Sequence, residues 1–136
     1  MLFNLTLKIM KEKVITVIRF LLGLMMVNSG LNKFLHYMEM PEMAQPALDL
    51  LGAFGDSGYM FPLIAIVELV AGILLLTKKF TALGAVLMMP ITVNIFLVHA
   101  FLDPAQVGMS VVLLLINITL LISERKRLYP MCGMDA

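Results

Sequence analysis

The sequence predicts an all-α integral membrane protein. The expected architecture is an up-down-up-down four-helix bundle with both termini cytoplasmic and a short amphipathic outer helix between spans one and two. Three observations predict it. Of 136 residues, 61% are hydrophobic and 14% charged, with a mean hydropathy of +0.99. A water-soluble domain carries roughly 45–50% apolar and about 25% charged residues, so this chain cannot build a solvated surface of ordinary composition. Second, four apolar stretches approach or exceed the ~30 Å needed to cross a hydrocarbon core at ~1.5 Å per helical residue. Third, lysine and arginine flank only one set of the ends of those stretches.

Taken in order, Met1–Lys13 mixes apolar side chains with Lys8, Lys11 and Lys13. The apolar run behind it is of membrane length and no A-x-A-like site closes it, so the segment reads as an uncleaved lead lying in the interface. Span one is Val14–Leu35, or ~33 Å of helix. Met38–Gly58 breaks the pattern with Pro41, Pro46, Gly52, Gly55 and Gly58. Within it, Pro46–Phe54 reads as an amphipathic helix of about two turns that lies on the membrane surface or caps the bundle. Span two is Tyr59–Thr77, joined by Lys78-Lys79-Phe80 to span three, Ala82–Phe101, with Thr81 as its expected N-cap. Asp103, Pro104 and Gln106 match an N-cap, N1 and N3 pattern. Span four is Val107–Ser123, and a polar tail follows from Glu124.

Orientation follows from the loops. Lys8, Lys11, Lys13, Lys78, Lys79, Arg125, Lys126 and Arg127 flank ends that meet on one side, while His36–Gly58 and Leu102–Gln106 contain neither lysine nor arginine. The positive-inside rule then places both termini in the cytoplasm. The single cysteine, Cys132, lies in a reducing compartment and can form no intrachain disulfide. A net charge of +1 gives no basic excess for nucleic acid. The thirteen methionines read as filler between helices. The sequons at Asn4 and Asn117 fall on the wrong side or inside the bilayer.

Glu68 is the one acidic residue within a span. A carboxylate at mid-membrane is costly unless paired, protonated or wetted. Counting ~1.5 Å per residue from the outer end of each span, Asn28 lies ~10 Å deep, Glu68 ~13 Å, Asn94 ~10 Å and Asn117 ~15 Å. One strongly polar residue per span thus falls in nearly one layer, where such groups are expected to turn inward and bond one another. Ala65, Ala71, Gly72, Gly23 and Gly30 permit close helix approach. Helical side chains lean toward their own N-terminus, so Lys33 leans into the membrane and Glu68 leans up toward it. Lys33 is therefore the preferred partner of Glu68. Arg19 is the second choice and is expected to snorkel to the cytoplasmic headgroups; a protonated or amide-paired Glu68 is the third. A pair that only fixes helix register stands beside these functional readings.

His36 and His99 fall at outer ends of their spans, and Asp103 is four residues beyond His99. Two neutral ligands without a carboxylate or thiolate set argue for interfacial histidines rather than a metal or haem site, with a proton-relay role left open. Pro90 removes a backbone bond in mid-span three, one turn before Asn94, and is expected to aim that amide inward. No phosphate loop, nucleophile–base pair or cysteine cluster is present, so catalysis by the chain itself is not expected.

Arg19-Phe-Leu-Leu-Gly23, Ser29-Gly30-Leu-Asn-Lys33-Phe34, Gly58-Tyr59 with Glu68-Leu-Val-Ala-Gly72, and Pro90 through Asn94 to His99 resemble the DoxX family, over about Val14–Leu121. The resemblance implies a four-helix protein of a bacterial or archaeal inner membrane. Members called DoxD are subunits of a thiosulfate:quinone oxidoreductase, another relative assists maturation of a periplasmic amine dehydrogenase, and some DoxX proteins are linked to oxidative-stress complexes. With no cysteine pair in the membrane, an accessory role is favoured over catalysis. Three readings follow. In the first, a redox-associated subunit binds a quinone or another small apolar ligand near the outer leaflet, with Asn28, Asn32, Glu68, Asn94 and His99 bonding its carbonyl oxygens or relaying protons. In the second, the chain carries protons or a small solute, and a homo-oligomer compensates for few spans. In the third, it is a scaffold with a structural polar core. Its expected partners are the bilayer, a membrane or periplasmic redox protein, and a second copy.

Overall fold

No proline or glycine interrupts the chain between Met1 and Leu22, so nothing stops a helix there. In a computed structural model describing residues 1–135, α1 runs unbroken over Leu2–Leu35, 34 residues or ~51 Å. The lead expected to lie separately in the interface is thus the first three turns and more of the same helix. α1 ends where His36 takes a left-handed conformation (φ 52°) and donates its N–H to Asn32 O at 2.8 Å.

The outer helix, α2, covers Gln45–Asp56 with proline in its first turn. It is longer than Pro46–Phe54, because Gly52 and Gly55 weaken a helix without stopping it. The stop is Ser57-Gly58, with Gly58 at φ 76°. Ser57 Oγ then accepts the N–H of Met60 (3.2 Å), which opens α3, Met60–Leu76. α2 and α3 meet at 94° and α2 touches α4, so α2 lies across the ends of these two helices.

A 3-10 turn over Lys78–Phe80 leads into α4, Thr81–Leu102. Thr81 is not an N-cap: its hydroxyl donates back to Thr77 O (3.3 Å) and Lys78 O (3.1 Å), tying the α3–α4 junction together. Asp103 makes no capping bond either, since a 3-10 turn over Pro104–Gln106 separates it from α5, Val107–Ser123. The tail folds into α6, Arg125–Leu128, and a last 3-10 turn. Arg127 ties it to the α3–α4 junction through Lys79 O (3.0 Å).

Three helical segments are long and apolar enough to cross a membrane, and a fourth span results if the bent α2–α3 pair is one. The described residues contain no strand. α1 packs chiefly on α3, α3 also on α4, α4 on α5, and α5 lightly back on α1. Leu22, Met26, Ala71, Leu75, Met88 and Leu120 fill the space between. Large apolar side chains such as Leu24, Ile66, Val70, Leu97 and Leu115 face outward. Such a surface suits lipid, which exacts no hydrophobic cost from it.

Candidate functional site

Arg19, Gly23, Met26, Gly30 and Lys33 recur at alternating four- and three-residue steps, the spacing that keeps one face of α1 against an antiparallel neighbour. On α3 the matching face is Ala65, Glu68, Gly72 and Leu75. The approach depends on absent side chains. A Cβ on Gly72 would lie 2.9 Å from both Gly23 O and Val27 N, backbone atoms that cannot swing aside. A Cβ on Gly30 would meet Ala65 O at 2.9 Å.

This close pairing brings Lys33 Nζ to 2.7 Å from Glu68 Oε2. Lys33 Nζ also donates to Ser29 Oγ at 2.9 Å, one turn back toward the N-terminus, as the lean of helical side chains requires. Glu68 retains 3% of its exposure and the Lys33 side chain 22%. Of the partners left open by the sequence, Lys33 is the one that meets the carboxylate. Arg19 does not snorkel freely. Its Nη1 donates to Leu75 O at 2.6 Å, satisfying a carbonyl in the last turn of α3 that has no helical donor, where a cation also suits the helix dipole. The two cations of α1 therefore grip α3 at two heights.

The remaining residues of the expected layer go elsewhere. Asn28 is exposed and its carbonyl and side-chain oxygens both accept from the Tyr37 hydroxyl, while its Nδ2 points to Met38 Sδ (3.3 Å). Asn32 Oδ1 accepts the Met38 N–H at 2.7 Å. Both asparagines brace the chain as it leaves α1. Successive residues turn ~100° and rise ~1.5 Å, so Asn28 lies ~140° round the helix from Lys33 and ~7.5 Å along it. Asn94 is exposed on α4, with no hydrogen bond from its side chain among the described residues. Pro90 does not aim it inward, because the buried stripe of α4 runs through Ala85, Met88 and Thr92, and Asn94 is ~200° from Thr92.

Asn117, fully buried on α5, serves the Pro90 turn instead. With its amide oriented to satisfy both ends, nitrogen donates to Ala85 O (3.2 Å) and oxygen accepts from Met89 N–H (3.3 Å) and Thr92 Oγ1 (3.0 Å). Proline weakens the helical ladder here, and the α5 amide stitches it from outside. Thr92 and Ser29 are participants that polarity and depth counting overlooked. Their spacing from Met88 and Lys33 would have placed them. Asn117→Leu should lower the thermal midpoint of the detergent-solubilised chain by the equivalent of about 1 kcal/mol, the usual scale of interhelical bonds in membranes. Circular dichroism melts would read this. No loss at all would remove the stitching role.

His99 is half-buried, and its Nδ1 lies 2.9 Å from Ile95 O, so that nitrogen carries the proton and Nε2 is left unprotonated in the neutral ring. It pairs with no carboxylate among the described residues. α4 ends at Leu102, and Asp103 turns to an extended backbone (φ −147°) that takes it off the helix face. Asp103 is buried, and its Oδ2 has no hydrogen-bond partner among the described residues. A small cleft of about 260 Å³ opens beside His99, with Glu42, Met43, Gln106 and Met109 in its walls. His99 is the one residue of the expected quinone-binding set that lines it. Asn28, Asn32, Glu68 and Asn94 do not converge on a shared space.

The DoxX family profile matches residues 14–100, which include the Arg19–Lys33 stripe, Glu68, Pro90, Asn94 and His99. This chain belongs to the DoxX family. The chain is also similar to the uncharacterized protein YwoB of Bacillus subtilis (strain 168), 36% identical over 74 residues. That match covers 54% of this chain and 48% of YwoB, about half the length of that relative. No solved structure matches. The Lys33–Glu68 pair and the two glycine contacts around it therefore lie wholly inside the DoxX region.

Proposed function

We propose that this DoxX protein is a non-catalytic accessory subunit of a membrane redox or oxidative-stress system, docking sideways onto a partner's transmembrane helix through α4. In this reading α1, α3, α4 and α5 are four antiparallel spans of a bacterial inner membrane with both termini cytoplasmic, and α2 rests on the outer surface. α3 alone spans only ~26 Å, within reach of a slightly thinned bilayer. The observation that carries docking is Asn94. It is exposed and unbonded on an outward stripe with Leu83, Pro90, Leu97 and Phe101. An amide facing hydrocarbon has every reason to find a polar group on another helix, and such bonds are worth roughly 0.6–2 kcal/mol. The other polar residues of the expected layer are engaged within the chain: Lys33 with Glu68, Asn117 with Thr92, and Asn28 and Asn32 with the loop after α1. The redox assignment of the partner rests on the family resemblance.

Asn94→Leu should weaken co-purification of the partner from native membranes by roughly threefold to thirtyfold. The amount and melting of the folded chain should not change. Undiminished co-purification would end the docking reading, and a crosslinked species of twice the chain mass would name a second copy as the partner. A second reading, a quinone-type ligand, is favoured by the outer cleft, where the Gln106 amide N–H can donate to a quinone carbonyl oxygen and the unprotonated His99 Nε2 can accept from the hydroxyl of the reduced quinol. Photolabelling by an azidoquinone should be lost in His99→Ala. Labelling that persists would remove it.

A further inference from the structure

A second, larger cleft lies at the opposite end from the one beside His99. It is a cleft of about 940 Å³ between the N-terminal half of α1, the α3–α4 junction and the turn from α5 into α6. One wall carries Lys8, Lys11, Lys13 and Arg19; the facing wall carries Lys78, Arg125 and Lys126. Two carboxylates, Glu12 and Glu124, share the lining with these seven cations. Glu124 is engaged by Arg127 at 3.4 Å, and no cleft cation forms an ion pair with a carboxylate among the described residues. Like charges gathered in a concave site focus a positive potential that an anion relieves.

The site is not purely polar. Ile9, Ile15 and Val17 lie in its lining, and α1 exposes Leu5, Met10 and Val14 around it. Depth supplies the second condition. α1 is ~51 Å long against a hydrocarbon thickness of ~30 Å, so about 20 Å of it lies beyond the core at this end. Lys8–Lys13 then stand at headgroup level while Ile15 and Val17 reach the acyl boundary.

We propose that this cleft binds an anionic diacyl phospholipid. Its phosphate lies between the α1 lysines and the Lys78, Arg125 and Lys126 wall, and one acyl chain descends past Ile15. A free phosphate would satisfy the charge but not the apolar wall, and a zwitterionic lipid would satisfy the wall but not the charge. The bound lipid would also bridge the first turns of α1, which are exposed on every side, to the α5–α6 turn.

The test is native mass spectrometry and thermal melting of the full chain in a neutral detergent. Phosphatidylglycerol, phosphatidylcholine and inorganic phosphate are added separately. Phosphatidylglycerol should be retained and should raise the melting temperature, while the other two do neither. The triple change Lys11→Gln, Lys78→Gln, Lys126→Gln should weaken phosphatidylglycerol retention at least about tenfold, since each basic residue contributes on the order of a few-fold at a lipid surface. The triple Lys→Arg change at the same positions should restore it. Equal retention of phosphatidylcholine, an equal shift with inorganic phosphate, or a glutamine variant that binds as the parent does would each overturn the proposal. A glutamine variant that misfolds leaves the lipid comparison on the parent chain to decide.

Discussion

Lys33→Met is expected to destabilise the folded chain by about 3 kcal/mol, with Glu68→Leu in the same background returning most of that loss. The single change removes the cation at 2.7 Å from a carboxylate that keeps 3% exposure, leaving a buried charge without a counter-ion. Breaking one partner of a buried pair costs roughly 3–5 kcal/mol. The lower end applies because the Lys33 side chain keeps 22% exposure. Removing both charges substitutes apolar contact for desolvated ions, which is often neutral. The four corners of the cycle are measured by denaturant unfolding in micelles. Strict additivity of the two single changes would mean that the pair contributes no coupling, and its structural role would be withdrawn.

Gly72→Val should be as damaging by a different route. Its first side-chain atom would sit 2.9 Å from Gly23 O and from Val27 N, so α1 and α3 must separate rather than adjust a rotamer. Overpacking of this kind costs typically 1–3 kcal/mol, and here it also lengthens the Lys33–Glu68 contact a turn away. A disulfide-trapping pair across α1 and α3, above and below Gly72, would report the separation as slower crosslinking. Crosslinking at the parent rate would show that the helices absorb the side chain. Gly52→Ala has open space around it and serves as the matched control, expected to melt no lower than the parent.

Depth along a helix was legible in the residues, and rotation around it was read only in part. Polar residues at similar depth suggested one layer, yet Asn28, Asn94 and Asn117 occupy three different surroundings. The ~100° turn per residue decides a face more sharply than the ~1.5 Å rise decides a level. Arg19, Gly23, Met26, Gly30 and Lys33, spaced by alternating four- and three-residue steps, do share one face. Two shortcomings came from expecting side chains at junctions to act as helix caps. Thr81 and Asp103 have cap chemistry, but each faces a 3-10 turn, which leaves different backbone groups unsatisfied.

Composition and patterning by themselves determined that the chain is helical and membrane-bound, because apolar runs of this length must bond their own backbone in lipid. They also determined that Glu68 needs a partner and that α1 offers two cations on the face that could supply one. Which cation, and what becomes of the other, required the tertiary structure. The register of α1 against α3 is set by Gly23, Gly30 and Gly72 touching backbone some forty residues away in sequence, roughly, and no local spacing encodes that contact. That register puts Lys33 on the carboxylate and Arg19 on the end of α3, while the close contact of Gly84 with Ala71 O and the buried stripe of α4 leave Asn94 facing out from the molecule.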